Sequence, residues 1–423
     1  MKALLKKISR KHLILISLIA LFLIAMYLRF YRVEQWYSFG FDQGRDAEKV
    51  RDILHGILFL NGPRTGVGHF YIGPLWYYLL VPFYFITNLD PIAAFYLNFF
   101  VNVFNFFALF IVFKKIFSDW WGVFAVFVYT ANNYLIEITT TPWNVSPIPG
   151  VAALIFYGIY TVVVEENTAW IPITLFLCGL FFHLHFSAVF FIPIVFTSFL
   201  FAKNKKQVFI KSALSLPLFF IWFIPLVLFE FQMKNTNASL FSKFLSTNIT
   251  SFHLQWFLHQ LREPFIQFQM IVFSRLPNRF LQFIFPALFF IILIFEKKQK
   301  LRKLGFLILL WFIIPLIAYS FYTGSTSEYY LLFTLPAVLY IIVYLQKKLL
   351  QAHHKYILLS LIVIWFFYAI YNTKTLWVKE QGGGLNSVKK IVRESIQHKK
   401  KIKYEEGSIA SYLYFVYTED YKK

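Results

Sequence analysis

Cysteine and charge are both scarce in this chain of 423 residues, and each scarcity closes off a class of protein. Cysteine occurs once, as Cys178 inside the apolar run 171–182, so neither a disulfide nor a cysteine metal site can be built. Its residual role is that of a small core residue. Charged residues make up 14% of the chain against 59% hydrophobic and 22% aromatic, and the mean hydropathy is +0.60. A water-soluble fold could not hide that much apolar surface. Acids are scarcer than bases, 20 Asp plus Glu against 41 Lys plus Arg, giving a net charge of +21. Such an excess raises the question of nucleic acid, but the basic residues fall in short clusters between apolar runs rather than on one soluble face. Clusters of that kind follow the positive-inside rule, so the charge reports topology and excludes a nucleic-acid partner. No small-residue cleavage site follows the apolar run 13–28, which therefore reads as an uncleaved first span, and no internal repeat at a fixed period is evident.

What is present is a series of runs long enough to span a bilayer, at 13–29, 92–113, 119–136, 148–164, 169–183, 187–202, 208–229, 280–295, 304–321, 329–346 and 355–371. The run 73–87 is ambiguous, and basic residues decide it. Read as an interfacial Tyr/Trp-rich helix, it leaves Lys114/Lys115, Lys203/Lys205/Lys206, Glu296 to Lys303 and Lys347/Lys348 all on the cytoplasmic side. The expectation is an all-α polytopic membrane protein of about 11 transmembrane helices with a cytoplasmic N-terminus. Residues 1–371 form the membrane domain, with long outer loops at 30–91 and 230–279. Residues 372–423 are expected to form an outer-side C-terminal segment, the start of a small soluble domain, with a hinge at Gly382-Gly383-Gly384 and an alternating stretch from Ile409 to Tyr417 that reads as a strand. Helical prolines such as Pro172, Pro193, Pro217, Pro225, Pro315 and Pro336 read as kinks.

Chemistry concentrates in the first outer loop, where Phe41-Asp42-Gln43-Gly44-Arg45-Asp46-Ala47-Glu48 packs three acids and an Arg behind an aromatic stretch. A helix starting near Asp42 puts Asp42, Arg45 and Asp46 on one face, so that Arg45 can hold one carboxylate while the other accepts a proton. The bland alternative is an Asp42 N-cap on a solvated turn. Glu137, Asn144 and Glu328 stand at span ends where bland residues would do. His183 and His185, at i and i+2, would point away from each other on a helix, which argues against a shared metal.

Here the chain resembles the GT-C glycosyltransferases related to protein O-mannosyltransferases and the lipid A aminoarabinose transferase. Asp42, Arg45 and Ala47 match the family's Asp-Glu-x-Arg-Tyr-Ala-like motif, with Gln43 at the usual Glu and Asp46 at the usual Tyr. Gly73-Pro74-Leu75-Trp76-Tyr77-Tyr78 is similar to its Pro-Pro-Leu-Tyr-Tyr segment, Trp143-Asn144-Val145-Ser146-Pro147 to a Trp-Asn-Pro-Asn pattern, and Tyr329-Tyr330-Leu331 with Leu335-Pro336 to the start of a late span. The resemblance covers most of residues 1–371. It implies a GT-C-type bundle that moves a sugar, with inversion, from a polyprenyl-phosphate donor to a protein, lipid or glycan acceptor on the non-cytoplasmic side, among membrane lipids.

Such a displacement needs a base, groups that stabilise the leaving phosphate, and an apolar groove. Asp42 is the expected base, with Asp46 as second candidate. Arg45 and Arg64 in the first outer loop and Arg262, Arg275 and Arg279 in the second offer forked donors for phosphate. His69, Tyr77, Asn144, His183, His185, Glu328 and Tyr329 are candidate substrate contacts. No metal-ligand set is assigned; a divalent metal is conceivable as a cofactor, but Gln43 counts against a metal role for the motif. The rival readings are a transporter or flippase of lipid-linked sugars, which would need charge near the middle of several spans, and a non-catalytic membrane scaffold.

Overall fold

The computed structural model describes residues 9–36, 39–66, 68–233, 236–248, 296–322, 324, 327–352, 356–374 and 384–398, with single positions between 255 and 294. The expected span 280–295, the residues Arg262, Arg275 and Arg279, and the segment 409–417 lie outside the fully described stretches. Among the described residues the chain is all-helical, with an isolated antiparallel bridge, Arg64–Tyr71, and no strand.

Helix α1 (Arg10–Phe30) is followed by a short α2 (Val33–Trp36), then α3 (Phe41–Leu54) and α4 (Leu75–Ile86). At 1.5 Å per residue α4 is about 18 Å long, short of the roughly 30 Å hydrocarbon core. It cannot cross alone. Helix α5 (Ala93–Ile116) is a full span. The run 119–136, expected as one span, is instead two helices, α6 (Asp119–Ala131) and α7 (Asn133–Thr140). Asn132 causes the break: its extended backbone leaves α6, and its Oδ1 caps α7 by accepting from the Leu135 N–H at 2.8 Å.

The bundle continues with α8 (Ile148–Val163), α9 (Ile171–Phe181), α10 (Phe191–Phe199), α11 (Lys205–Phe220), α12 (Ile224–Gln232) and α13 (Thr236–Asn248). After the sparsely described stretch come α14 (Gln299–Tyr319), α15 (Leu335–Ala352), α16 (Tyr356–Lys374) and α17 (Leu385–His398). Pro172 and Pro225 fall in first turns, where no N–H is needed, rather than at kinks; Pro217 and Pro315 lie inside their helices. Five helical stretches among the described residues are long and apolar enough to cross a bilayer: Arg10–Gln35, Ala93–Ile116, Lys205–Gln232, Gln299–Tyr319 and Glu328–Gln351. With the shorter apolar helices between them, these make the chain an integral membrane protein.

Helices in a bilayer gain little from burying apolar faces against one another, so packing and hydrogen bonds must set their arrangement. Helix α5 supplies both. Asn98, Asn102 and Asn105, at i, i+4 and i+7, are fully buried on one face of it. Asn98 donates to the Thr139 and Thr140 carbonyls, Asn102 to Thr139, and Asn105 to Ser146, each at 2.8 Å. They satisfy the free carbonyls at the C-terminus of α7 and pin the loop that carries Trp143 and Asn144. Arg29, at the end of α1 and 1% exposed, joins them from the other side, donating to Thr139 Oγ1 and the Tyr129 carbonyl at 2.9 Å with its guanidinium over the Tyr129 ring.

The other end of α5 lies about 36 Å away along its axis. There the Lys347 ammonium sits over the Phe117 ring, Lys348 pairs with Glu296 at 2.6 Å, and Lys114 pairs with Asp119 at 2.8 Å. Basic clusters well separated in the sequence thus share one end. A second apolar cluster sits at the Asn98 end, joining Val50 of α3, Trp76 and Leu80 of α4, Leu97 of α5 and Leu385, Val388 and Val392 of α17.

Candidate functional site

At that end a cavity of about 950 Å³ opens between α3, the loop 59–73, the loop 143–145, the turn 185–190 and the segments around α13 and 319–330. Helix α3 starts one residue earlier than Asp42, with Gly40 at its N-cap. The Gln43 side chain folds back to accept the Gly40 N–H at 3.1 Å. Gln43 therefore does the capping, and Asp42 is spared for another role.

Asp42, Arg45 and Asp46 do share a face, but Arg45 holds both carboxylates. Its Nη1 lies 2.7 Å from Asp42 Oδ1, and its Nη2 and Nε lie 2.7 and 2.9 Å from Asp46 Oδ1. Trp76 Nε1 donates to the remaining oxygen, Asp46 Oδ2, at 3.1 Å. Asp46, 2% exposed, is committed on both oxygens and does not line the cavity, whereas the Asp42 side chain is 45% exposed and does. Burial pushes the Asp46 carboxyl up to about 6 in spite of Arg45. Burial opposes the Arg45 charge, yet Asp46, Tyr77 and Asp42 outweigh it and hold the guanidinium more firmly protonated than usual.

Arg64, His69, Tyr77, Asn144, His185 and Tyr329 line the same cavity. Arg64 donates through Nε to the His69 carbonyl at 2.7 Å, closing the loop that both occupy. Asn237 at the start of α13 clasps that loop, accepting the Tyr71 N–H at 2.6 Å and donating to its carbonyl at 3.0 Å. Asn144 donates its amide to the Leu184 carbonyl at 2.5 Å, tying the loop 143–145 to the residues just before the 185–190 turn. The Tyr329 ring packs on Trp143 and on His185.

His183 and His185 lie past the end of α9 rather than on a helix. His185 caps the 3-10 turn Phe186–Phe190, its Nδ1 accepting the Ser187 N–H at 3.1 Å, and burial lowers its pKa to about 4. It presents a neutral imidazole to the cavity. His183 is buried away from the cavity, between the Leu75 N–H (3.3 Å to Nδ1) and the Trp222 carbonyl (2.5 Å to Nε2). Its ring occupies the space a side chain at position 73 would need: a Cβ there would meet ring atoms at 2.2 Å. Glu328 also stays off the cavity; its side chain is exposed, and its carbonyl accepts the Tyr134 hydroxyl at 2.9 Å. Glu137 accepts from Asn133 at 3.1 Å inside α7.

The sequence reading passed over Lys49, which lines the cavity with its ammonium 4.2 Å from the Phe59 ring centre. It stands one turn beyond Arg45 and two beyond Asp42, a spacing that marks the same face. Apolar and aromatic side chains make up much of the remaining wall, including Phe190, Phe229, Met233, Phe241 and Phe244, with Asn61, Thr65 and Ser187 among them. As a metal site the arrangement fits poorly. Among the described residues no three His, Cys, Asp or Glu side chains converge, Arg45 fills the space between Asp42 and Asp46, and Gln43 Oε1 is spent on the helix cap.

These features define an integral membrane protein with a cavity, part cationic and part aromatic, at one end of an all-α bundle. No protein-family model matches the chain, and no curated protein sequence does. Solved structures do. The crystal structure of ArnT from Cupriavidus metallidurans bound to undecaprenyl phosphate is similar with a TM-score of 0.60 at 13% identity, over 95% of this chain and 76% of that one. Its apo state gives 0.58 at 12% identity, over 95% and 75%. The Archaeoglobus fulgidus oligosaccharyltransferase in complex with Zn and sulfate reaches 0.49 at 13% identity, over 92% of this chain and 57% of that one. The chain therefore has the GT-C fold.

Proposed function

We propose that the chain is a membrane glycosyltransferase that moves a sugar from a polyprenyl-phosphate donor to a hydroxyl or similar group on a protein, lipid or glycan acceptor. The observation that carries this reading is one cavity that brings the accessible carboxylate of Asp42 together with three cations, Arg45, Lys49 and Arg64, above an aromatic and apolar wall. The similarity of fold to a protein solved with undecaprenyl phosphate supports the choice of donor. Asp42 takes the acceptor proton on Oδ2 as the acceptor oxygen attacks the anomeric carbon; the bond to the phosphate oxygen breaks, and the polyprenyl phosphate leaves with its electron pair. Attack opposite the leaving group inverts the anomeric centre. Lys49 and Arg64 take up the charge growing on the phosphate, where a low-dielectric wall strengthens each contact. The isoprenoid lies along the phenylalanines, and His185 and Tyr329 border the sugar.

Sidedness follows from charge. The cavity is at the end of the bundle away from Lys114, Lys347 and Lys348, so the positive-inside rule faces it out of the cytoplasm. The test is sugar transfer by the purified protein in lipid from a panel of polyprenyl-phosphate sugars, comparing wild type with Asp42→Asn. Transfer that disappears in a normally folded Asp42→Asn supports both enzyme and base. Transfer retained by the variant sinks Asp42 as base, and lipid movement without transfer from any donor favours a flippase.

A further inference from the structure

We infer that this transfer needs no bound divalent cation, because the Arg45 guanidinium already occupies the place between Asp42 and Asp46 where a cation would sit. The inference rests on the glycosyltransferase reading for its activity arm alone. Two carboxylates one helical turn apart in a half-buried site repel each other and require a countercharge. A metal ion can provide one; here a side chain does. Arg45 meets Asp42 with Nη1 and Asp46 with Nη2 and Nε, all within 2.9 Å, and its own side chain is only 17% exposed.

Among the described residues the carboxylate oxygens left over are too few for a metal. Trp76 Nε1 takes Asp46 Oδ2, which leaves Asp42 Oδ2, on a residue that lines the cavity, as the carboxylate oxygen that neither Arg45 nor Trp76 holds. Gln43 Oε1 accepts the Gly40 N–H and the Asn144 amide is bound to the Leu184 carbonyl, while His69 and His185 line the cavity without forming, among the described residues, a group of three His, Cys, Asp or Glu side chains with Asp42. An entering cation would also meet Lys49 and Arg64, which share the cavity and repel it. A hard divalent ion binds six or more oxygens or keeps several waters, and one carboxylate oxygen beside three cations does not hold it.

Arg45 is accordingly a positioning residue. Anchored on buried Asp46, it fixes one oxygen of Asp42 and leaves the other for the acceptor proton. A lysine cannot reproduce this, since a single ammonium lacks the fork that spans both acids.

Manganese binding, followed by electron paramagnetic resonance on the purified protein in lipid, tests the inference independently of any donor. Wild type should show no Mn²⁺ site that Asp42→Asn removes, and its sugar transfer should be the same in EDTA as in Mn²⁺. Arg45→Met exposes the two acids to each other. It should lose transfer at least ~100-fold and gain Mn²⁺ uptake that disappears in the Arg45→Met/Asp42→Asn double variant. Stoichiometric, Asp42-dependent Mn²⁺ binding by wild type, or transfer abolished by EDTA and restored by Mn²⁺, overturns the inference; so does a folded Arg45→Met that takes up none. If Arg45→Met does not fold, the wild-type arms decide alone. If wild type transfers no sugar under any condition, the enzyme reading fails, while the Mn²⁺ measurement still decides the question of the cation.

Discussion

Replacing Gly73 by alanine tests how the motif around Gly73 and Pro74 is seated. The new methyl would meet His183 ring atoms at 2.2–2.3 Å, so the ring must retreat by roughly 1 Å or more to reach an ordinary contact. It has little freedom to do so, because both ring nitrogens are engaged, with the Leu75 N–H and the Trp222 carbonyl. Losing two hydrogen bonds at about 1 kcal/mol each, on top of an overpacking cost of about 1–3 kcal/mol, gives a destabilisation of about 3–5 kcal/mol. Thermal unfolding of the purified protein in lipid, followed by tryptophan fluorescence, measures it. The decisive comparison is Gly73→Ala in a His183→Ala background, where the ring is gone and the methyl has room. The double variant should be more stable than Gly73→Ala alone. A Gly73→Ala protein that melts with wild type, or a double variant worse than either single one, would refute the reasoning.

Acid should switch off transfer without unfolding the protein. Asp46 is ionised above about 6 and neutral below it, so its ion pair with Arg45 is lost as the pH falls through that value and transfer should fall with it. The stability effect has the opposite sign: a folded carboxyl raised from its ordinary 3.8 binds its proton more tightly than the unfolded chain does. This group therefore adds stability as the pH drops from about 6 towards 3.8. Transfer that stays level down to pH 5, or that is lost only together with the fold, contradicts this. At the C-terminal helix, Lys389 Nζ lies 2.7 Å from both oxygens of Asp90 and couples α17 to the turn before α5. A double-mutant cycle with Lys389→Met and Asp90→Asn should give about 1 kcal/mol of coupling that shrinks with added salt, the pair being partly exposed; coupling near zero would leave α17 held by the apolar contacts of Leu385, Val388 and Val392 instead.

Much of this architecture is legible in composition and period. Apolar runs locate most helices, and the i, i+3, i+4 spacing of Asp42, Arg45 and Asp46 places them on one face before any coordinate is known. What separates the two acids is not legible, because it depends on Trp76, thirty residues away, closing over Asp46. Hydropathy also averages away single polar residues: Asn132 splits a run that reads as continuous, and Arg29 reads as the edge of a span although it is buried. That the two histidines lie off the helix escaped for a related reason. The run 169–183 continues past the true helix end at Phe181, and the local signal, Ser187 two residues after His185, marks a capped turn only once that end is known.

The asparagines of α5 bear on how the protein is made. Helix α5 leaves the ribosome before α7 exists, and with it three amides whose acceptors lie at residues 139–146. In the lone span Asn102 still reaches the Asn98 carbonyl of its own helix at 2.9 Å, but Asn98 and Asn105 lose the partners they have here, which makes that state costly in hydrocarbon. Pairing with residues 139–146 removes that cost, which favours α5 and α7 packing together as soon as both are present. The loop that holds Trp143 and Asn144 at the cavity is thereby set in place early, while the chain that completes the opposite wall is still being synthesised.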